Sequence, residues 1–68
     1  IYSYQKTVYV NLLDNVEGDI FIYNIAGQLI STRPSAVGSN EIKLSNTGNY
    51  VVRVVTRDRT VVGKVFIQ

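Results

Sequence analysis

Residues 48–55, with the sequence Gly-Asn-Tyr-Val-Val-Arg-Val-Val, set the strongest constraint on how this chain can fold. Side chains alternate across a β-strand, so Tyr50, Val52 and Val54 share one face, while the other face carries valines and a single charge. An exposed edge strand of this composition would pair with other chains, so the pattern predicts a strand in the middle of a sheet. Its inner face is expected to lie in the core of a small β domain.

The whole chain, residues 1–68, is short enough that we expect a single domain. Cys and His are both absent, which excludes disulfides and thiolate or imidazole metal sites. Hydrophobic residues make up 46% of the chain, and this predicts folded β structure around an aliphatic and tyrosine core. No apolar run approaches the roughly 20 residues of a membrane-spanning helix. Because the sequence begins at Ile1 and shows no signal pattern, we expect a piece of a longer protein.

The first half of the chain predicts a half-buried strand. Residues 7–12 alternate in polarity, so Val8, Val10 and Leu12 are expected to face inward and Thr7 outward. The preceding residues 1–4 are short and Tyr-rich, which is typical of a first strand or of the end of a linker.

Residues 20–32 predict a β-hairpin. Residues 19–25 are apolar on both faces, which again favours a central strand, and residues 28–32 resume a strand pattern directly after Ala26 and Gly27. Glycine tolerates positive φ, so Gly27 is expected to form the turn.

The second half predicts a loop and two more strands in addition to residues 48–55. Pro34 cannot donate to a ladder, so residues 33–39 are interpreted as a loop that crosses between sheets. Ile42 and Leu44 are the inward positions of a short amphipathic strand. Residues 61–68 form the last predicted strand, antiparallel to residues 48–55.

These segments amount to six to seven short strands, about 8 to 12 residues apart, and none shows a helical period. Such spacing is typical of an antiparallel β-sandwich or a small barrel. The sequence therefore predicts an all-β domain.

The chain has few residues suited to catalysis, because without His and Cys it lacks the usual general bases and thiol nucleophiles. Asp14, Glu17 and Asp19 lie near one turn, but they do not form a spaced cation-binding loop, so a solvated turn is the simpler interpretation. We interpret the chain as a non-enzyme without a metal site or a cofactor.

Neither the charge nor the aromatic residues favour a binding function on their own. The net charge of +2 comes from dispersed Lys and Arg with no aromatic interleaving, so no nucleic-acid partner is expected. Tyr2, Tyr4 and Tyr9 could form a platform that stacks on sugars, or they could simply cover the edges of the core with their hydroxyls in water.

Three stretches in order carry a resemblance to a known family: residues 20–30 (Ile-Phe-Ile-Tyr-Asn-Ile-Ala-Gly-Gln-Leu-Ile), residues 47–55 (Thr-Gly-Asn-Tyr-Val-Val-Arg-Val-Val) and residues 63–68 (Gly-Lys-Val-Phe-Ile-Gln). Their order and spacing resemble the type A C-terminal sorting domain of the type IX secretion system of Bacteroidetes. One position departs from the pattern, because many members have Pro where this chain has Asn46.

Residue by residue, Gly27 resembles the hairpin glycine of that family. Gly48 and Tyr50 resemble its Gly-x-Tyr pair, and Lys64 with Val65 resembles its terminal Lys-Val. The resemblance implies a small immunoglobulin-like antiparallel β-sandwich.

The resemblance also implies a function in recognition: the C-terminal secretion signal of a larger exported protein, whose cargo domain lies in the same chain. Such a signal is read in the periplasm by outer-membrane shuttle and translocon proteins, and it directs the cargo across the outer membrane to the cell surface or the extracellular space. A sortase-like cysteine protease is a further implied partner.

The last strand is the expected recognition surface, with β-augmentation along its edge as one docking mode. The residues expected to be read are Lys64, Val65, Phe66, Ile67 and Gln68. An apolar edge of this kind could also produce a strand-swapped or edge-paired dimer in the isolated domain. The alternatives to a sorting signal are a glycan-binding or adhesion module of immunoglobulin type and a structural spacer domain.

Overall fold

The computed structural model describes residues 1–68 and contains seven strands and no helix. The strands are β1 (Tyr2–Tyr4), β2 (Thr7–Asn11), β3 (Glu17–Asn24), β4 (Leu29–Val37), β5 (Ser39–Lys43), β6 (Gly48–Thr56) and β7 (Thr60–Ile67). They form a three-stranded sheet in the order β1-β2-β5 and a four-stranded sheet in the order β4-β3-β6-β7, with every pair antiparallel. This confirms the predicted all-β fold of the small immunoglobulin-like sandwich type.

With no helix in the structure, none has the length and hydrophobicity needed to cross a membrane.

The core lies between the two sheets and is built from alternate residues of their strands. Strand β6 lies between β3 and β7, as predicted, and buries Tyr50, Val52 and Val54. The other members of the core are Val8, Val10, Ile20, Ile22, Ala36, Ile42, Leu44, Val65 and Ile67. Leu12 packs against this cluster and is half-buried, so the inward positions predicted for residues 7–12 are confirmed.

The predicted hairpin at residues 20–32 is confirmed as the turn between β3 and β4. Gly27 has φ = +87°, which a residue with a Cβ adopts only under strain. The Asn24 side chain supports the turn, since its Oδ1 accepts hydrogen bonds from the Ala26 and Gln28 amides at 3.0 and 2.9 Å.

The crossing loop predicted at residues 33–39 is wrong, because most of this segment belongs to β4. Pro34 and Ser35 lie opposite the single residue Asp19, where the register between β3 and β4 shifts and Ser35 has φ = +52°. A proline is tolerated there because β4 is an edge strand and the site is a bulge. Within this segment, the chain passes from one sheet to the other at Gly38, where φ is +64°.

Two local features near the N-terminus were not apparent from the pattern. Gln5 and Lys6 have φ values of +49° and +65° and join β1 to β2 in a two-residue hairpin turn of the type that requires two positive φ angles. Thr7 alternates with the buried Val8 and so faces outward, yet it is only 6% exposed. Its ladder partners Tyr4 and Lys43 flank it on both sides.

Candidate functional site

Strand β7 carries the C-terminal residues and forms one edge of the four-stranded sheet. It pairs with β6 alone, and the register runs without a shift from the Val55–Thr60 pair to the Gly48–Ile67 pair. The pairing of β7 with β6 is therefore regular along its whole length, and the other side of the β7 backbone has no neighbouring strand.

The backbone groups on that free side can be identified from the turn that joins β6 and β7. The Thr56 amide donates to the Arg59 carbonyl at 2.8 Å, which makes this a hydrogen-bonded pair. Hydrogen-bonded and non-hydrogen-bonded pairs alternate along an antiparallel ladder. The N–H and C=O groups of Val62, Lys64 and Phe66 therefore point away from β6, toward the free edge.

Ser3 in β1 and the preceding Ile1 contact β7 through their side chains. The Ser3 hydroxyl donates to the Phe66 carbonyl at 3.0 Å, which agrees with the outward direction of that carbonyl. The Ile1 side chain lies against Gly63, with its Cδ1 3.2 Å from the position that a Cβ would occupy there. No ladder connects β1 with β7, so the edge is touched but not paired.

The five C-terminal residues divide between the core and the surface. Val65 and Ile67 are 6% and 1% exposed and pack in the core, as expected from their alternation. Lys64, Phe66 and Gln68 are exposed, with Phe66 at 55%. Their side chains and the outward backbone groups are what this strand can offer to a partner.

Gly48 and Tyr50 hold the start of β6 and lie directly opposite the last residues of β7. Gly48 has φ = +135° and pairs with Ile67, while Tyr50 pairs with Val65. The buried Tyr50 donates its hydroxyl hydrogen to the Asn46 carbonyl at 2.9 Å, which fastens the preceding turn to the strand. Asn46 therefore takes part in a fixed turn although it is not a proline.

The outer face of the four-stranded sheet brings together residues that the sequence pattern did not connect. Phe21 lies opposite Arg53, and the guanidinium carbon is 5.8 Å from the centre of the Phe21 ring. Tyr23 stacks beside Phe21 with ring centres 6.5 Å apart and an angle of 22° between the rings. Only the cross-strand register reveals this cluster, because Phe21 and Arg53 are far apart in the sequence.

The carboxylates near the β2–β3 turn do not form a group that could hold a metal ion. Asp19 lies in β3 and is bound to β4, because its Oδ1 accepts the amide hydrogen of Ser35 at 2.8 Å. On the three-stranded sheet, Tyr2 and Tyr9 stack on each other at 4.9 Å, which leaves less ring surface for a sugar.

Comparison with known proteins gives one match. A family described as the secretion system C-terminal sorting domain matches residues 4–68, which include all of β2 to β7. No curated protein and no solved structure is significantly similar to the chain.

Proposed function

The chain belongs to the family of C-terminal sorting domains of the type IX secretion system, and we propose that the machinery reads this domain through strand β7. Family membership makes it a sorting signal rather than a member of a catalytic family. It implies an exported protein that goes to the cell surface or the extracellular space, and contact with the type IX secretion machinery.

The observation that supports recognition through β7 is the regular, unpaired edge of this strand. The backbone groups of Val62, Lys64 and Phe66 point outward, and an added strand could form a ladder with them. Such a strand would displace the Ser3 hydroxyl from the Phe66 carbonyl, which is the one hydrogen bond that β1 makes there. Val65 and Ile67 hold β7 on the core, so the edge keeps its shape before a partner arrives.

In the proposed route, an outer-membrane shuttle protein reads β7 in the periplasm and passes the domain to the translocon. The cargo domain in the same chain follows across the outer membrane. Cleavage by a sortase-like cysteine protease is a later step that reading of β7 does not require.

The test is delivery of a fluorescent cargo fused to residues 1–68 in a bacterium with a type IX system. Deletion of residues 64–68 is expected to abolish surface delivery. Because Val65 and Ile67 belong to the core, this deletion also damages the fold, and a variant that keeps the fold is needed.

Val62→Pro is that variant. The Val62 side chain is 61% exposed and its N–H points to the free edge, where proline is tolerated. We expect a folded domain by circular dichroism and a drop of about tenfold or more in surface-delivered cargo, because one ladder donor is lost and the ring obstructs pairing.

Val62→Thr is the matched control, since it keeps the N–H and the branched shape of the same side chain, and it is expected to lose much less delivery than Val62→Pro. Full delivery of the deletion variant, or of a folded Val62→Pro variant, would overturn the assignment of β7.

A further inference from the structure

The outer face of the four-stranded sheet combines aromatic, aliphatic and cationic side chains. Ile20, Ile22 and Val52 point into the core, so their neighbours along β3 and β6 point outward. Cross-strand partners share this face, which we call the aromatic–cationic face: Phe21, Tyr23, Val51, Arg53, Val62, Lys64 and Phe66.

The two cations of the aromatic–cationic face have apolar neighbours. Arg53 lies between Phe21 and Val62 in the ladder, and Lys64 lies opposite Val51. Asp19 precedes Phe21 on the same side of β3, opposite Val55, and its Oδ1 accepts the Ser35 amide hydrogen at 2.8 Å. The face therefore combines the positive charges of Arg53 and Lys64 with apolar side chains, and neither cation has a carboxylate as its ladder partner.

We propose that the aromatic–cationic face docks against a protein surface of the type IX machinery that carries carboxylates among apolar side chains. This inference rests on the proposed function. Aromatic residues and Arg are enriched where protein interfaces gain most of their affinity, and Arg53 stacked over Phe21 is an anchor of that type. A carboxylate above Arg53 would supply the opposite charge and could accept two hydrogen bonds.

The charge pattern distinguishes a protein partner from other occupants. Attraction to an anionic membrane takes a cluster of about four to eight basic residues, and this face has only Arg53 and Lys64. A second copy docked face to face would bring the same cations together, which is unfavourable.

The face is continuous with the edge of β7, since Val62, Lys64 and Phe66 supply both outward backbone groups and outward side chains. A partner strand added to that edge would extend the sheet, and the protein that carries it could reach across β6 to Arg53. The inferred contact thus extends the surface that the machinery recognises from β7 alone to β3, β6 and β7.

Arg53→Glu in the cargo fusion tests this contact. We expect the surface-delivered fraction to fall about tenfold or more, because a like charge replaces the opposite charge in the interface. Lys43→Glu is the matched control, with the same change of charge on the exposed outer face of the other sheet, and its delivery is expected to stay within about twofold of the parent. Arg53→Lys keeps the charge and is expected to lose less than Arg53→Glu.

Urea unfolding of the isolated domains checks that both Glu variants remain folded. A folded Arg53→Glu domain with normal delivery, combined with lost delivery in Val62→Pro, would contradict docking through the aromatic–cationic face and would still support strand pairing at the edge of β7. The reverse result would support the face and overturn pairing at the edge.

Two further measurements test whether the partner of the face is a lipid surface or a second copy of the domain. Co-sedimentation of the purified fusion with phosphatidylglycerol and phosphatidylcholine vesicles, abolished by Arg53→Glu, would overturn a protein partner in favour of a lipid surface. A dimer detected by light scattering and abolished by Arg53→Glu would overturn it in favour of a second copy.

Discussion

The two edge strands of the four-stranded sheet, β4 and β7, are built in opposite ways. Strand β4 shifts register twice against β3, contains Pro34, and has a positive φ at Ser35. Strand β7 keeps one register with β6 throughout and contains no proline. Bulges and proline on an edge prevent pairing with other chains, so only β4 is protected in this way.

The two edges also differ in how they are anchored. Strand β7 contributes Val65 and Ile67 to the core, whereas β4 contributes only Ala36. A regular apolar edge is an aggregation hazard that proteins normally remove. A strand that accepts a partner strand needs pairing groups that are both free and held in place, and β7 has both properties.

The difference in anchoring predicts the largest effect. Ile67 is 1% exposed in β7 and Ile30 is 46% exposed in β4. Ile67→Ala is expected to lower the free energy of unfolding by about 2–5 kcal/mol, because it leaves a cavity in the core, and Ile30→Ala by less than about 1 kcal/mol. Urea denaturation of the isolated domain measures both.

A domain of this size has only about 3–5 kcal/mol of stability, so Ile67→Ala is expected to remove a large part of it. Equal losses for the two isoleucines would show that the edges are anchored alike.

The contrast between the edges also marks the limit of what the sequence could predict. Strand β6 was predictable because Tyr50, Val52 and Val54 repeat with the period of a strand. Strand β4 was not, since Pro34 is a loop signal by local criteria and only its position opposite Asp19 at an edge makes it acceptable in a strand. Bulges depend on a partner strand, which a local pattern does not contain.

The candidate site was predictable to a similar extent. The turn at Gly27 and the inward packing of Val65 and Ile67 follow from local rules, and the structure agrees with both. The contact of Arg53 with Phe21 could not be predicted, because it depends on the register between β3 and β6. Register is set by the whole hydrophobic pattern of the sheet rather than by either residue.

The protection of β4 can be tested at its bulge. Asp19→Ala removes the acceptor of the Ser35 amide, and we expect a loss of about 1 kcal/mol in the free energy of unfolding, since the site is exposed. Asp19→Asn keeps an oxygen at the same place and should recover most of that loss. If both variants lose the same amount, the charge of Asp19 rather than its hydrogen bond supports the bulge.

The smallest effect concerns β1, which lies against the free edge of β7. Gln5 and Lys6 occupy a turn with two positive φ angles, and Asn-Gly suits that turn better, so Gln5→Asn with Lys6→Gly should raise the free energy of unfolding by up to about 1 kcal/mol. A firmer β1–β2 hairpin also holds Ser3 more tightly on the Phe66 carbonyl. If a partner strand must displace β1, the more stable double variant will deliver less cargo to the surface. Stability and delivery that rise together would instead show that β1 does not compete for the edge of β7.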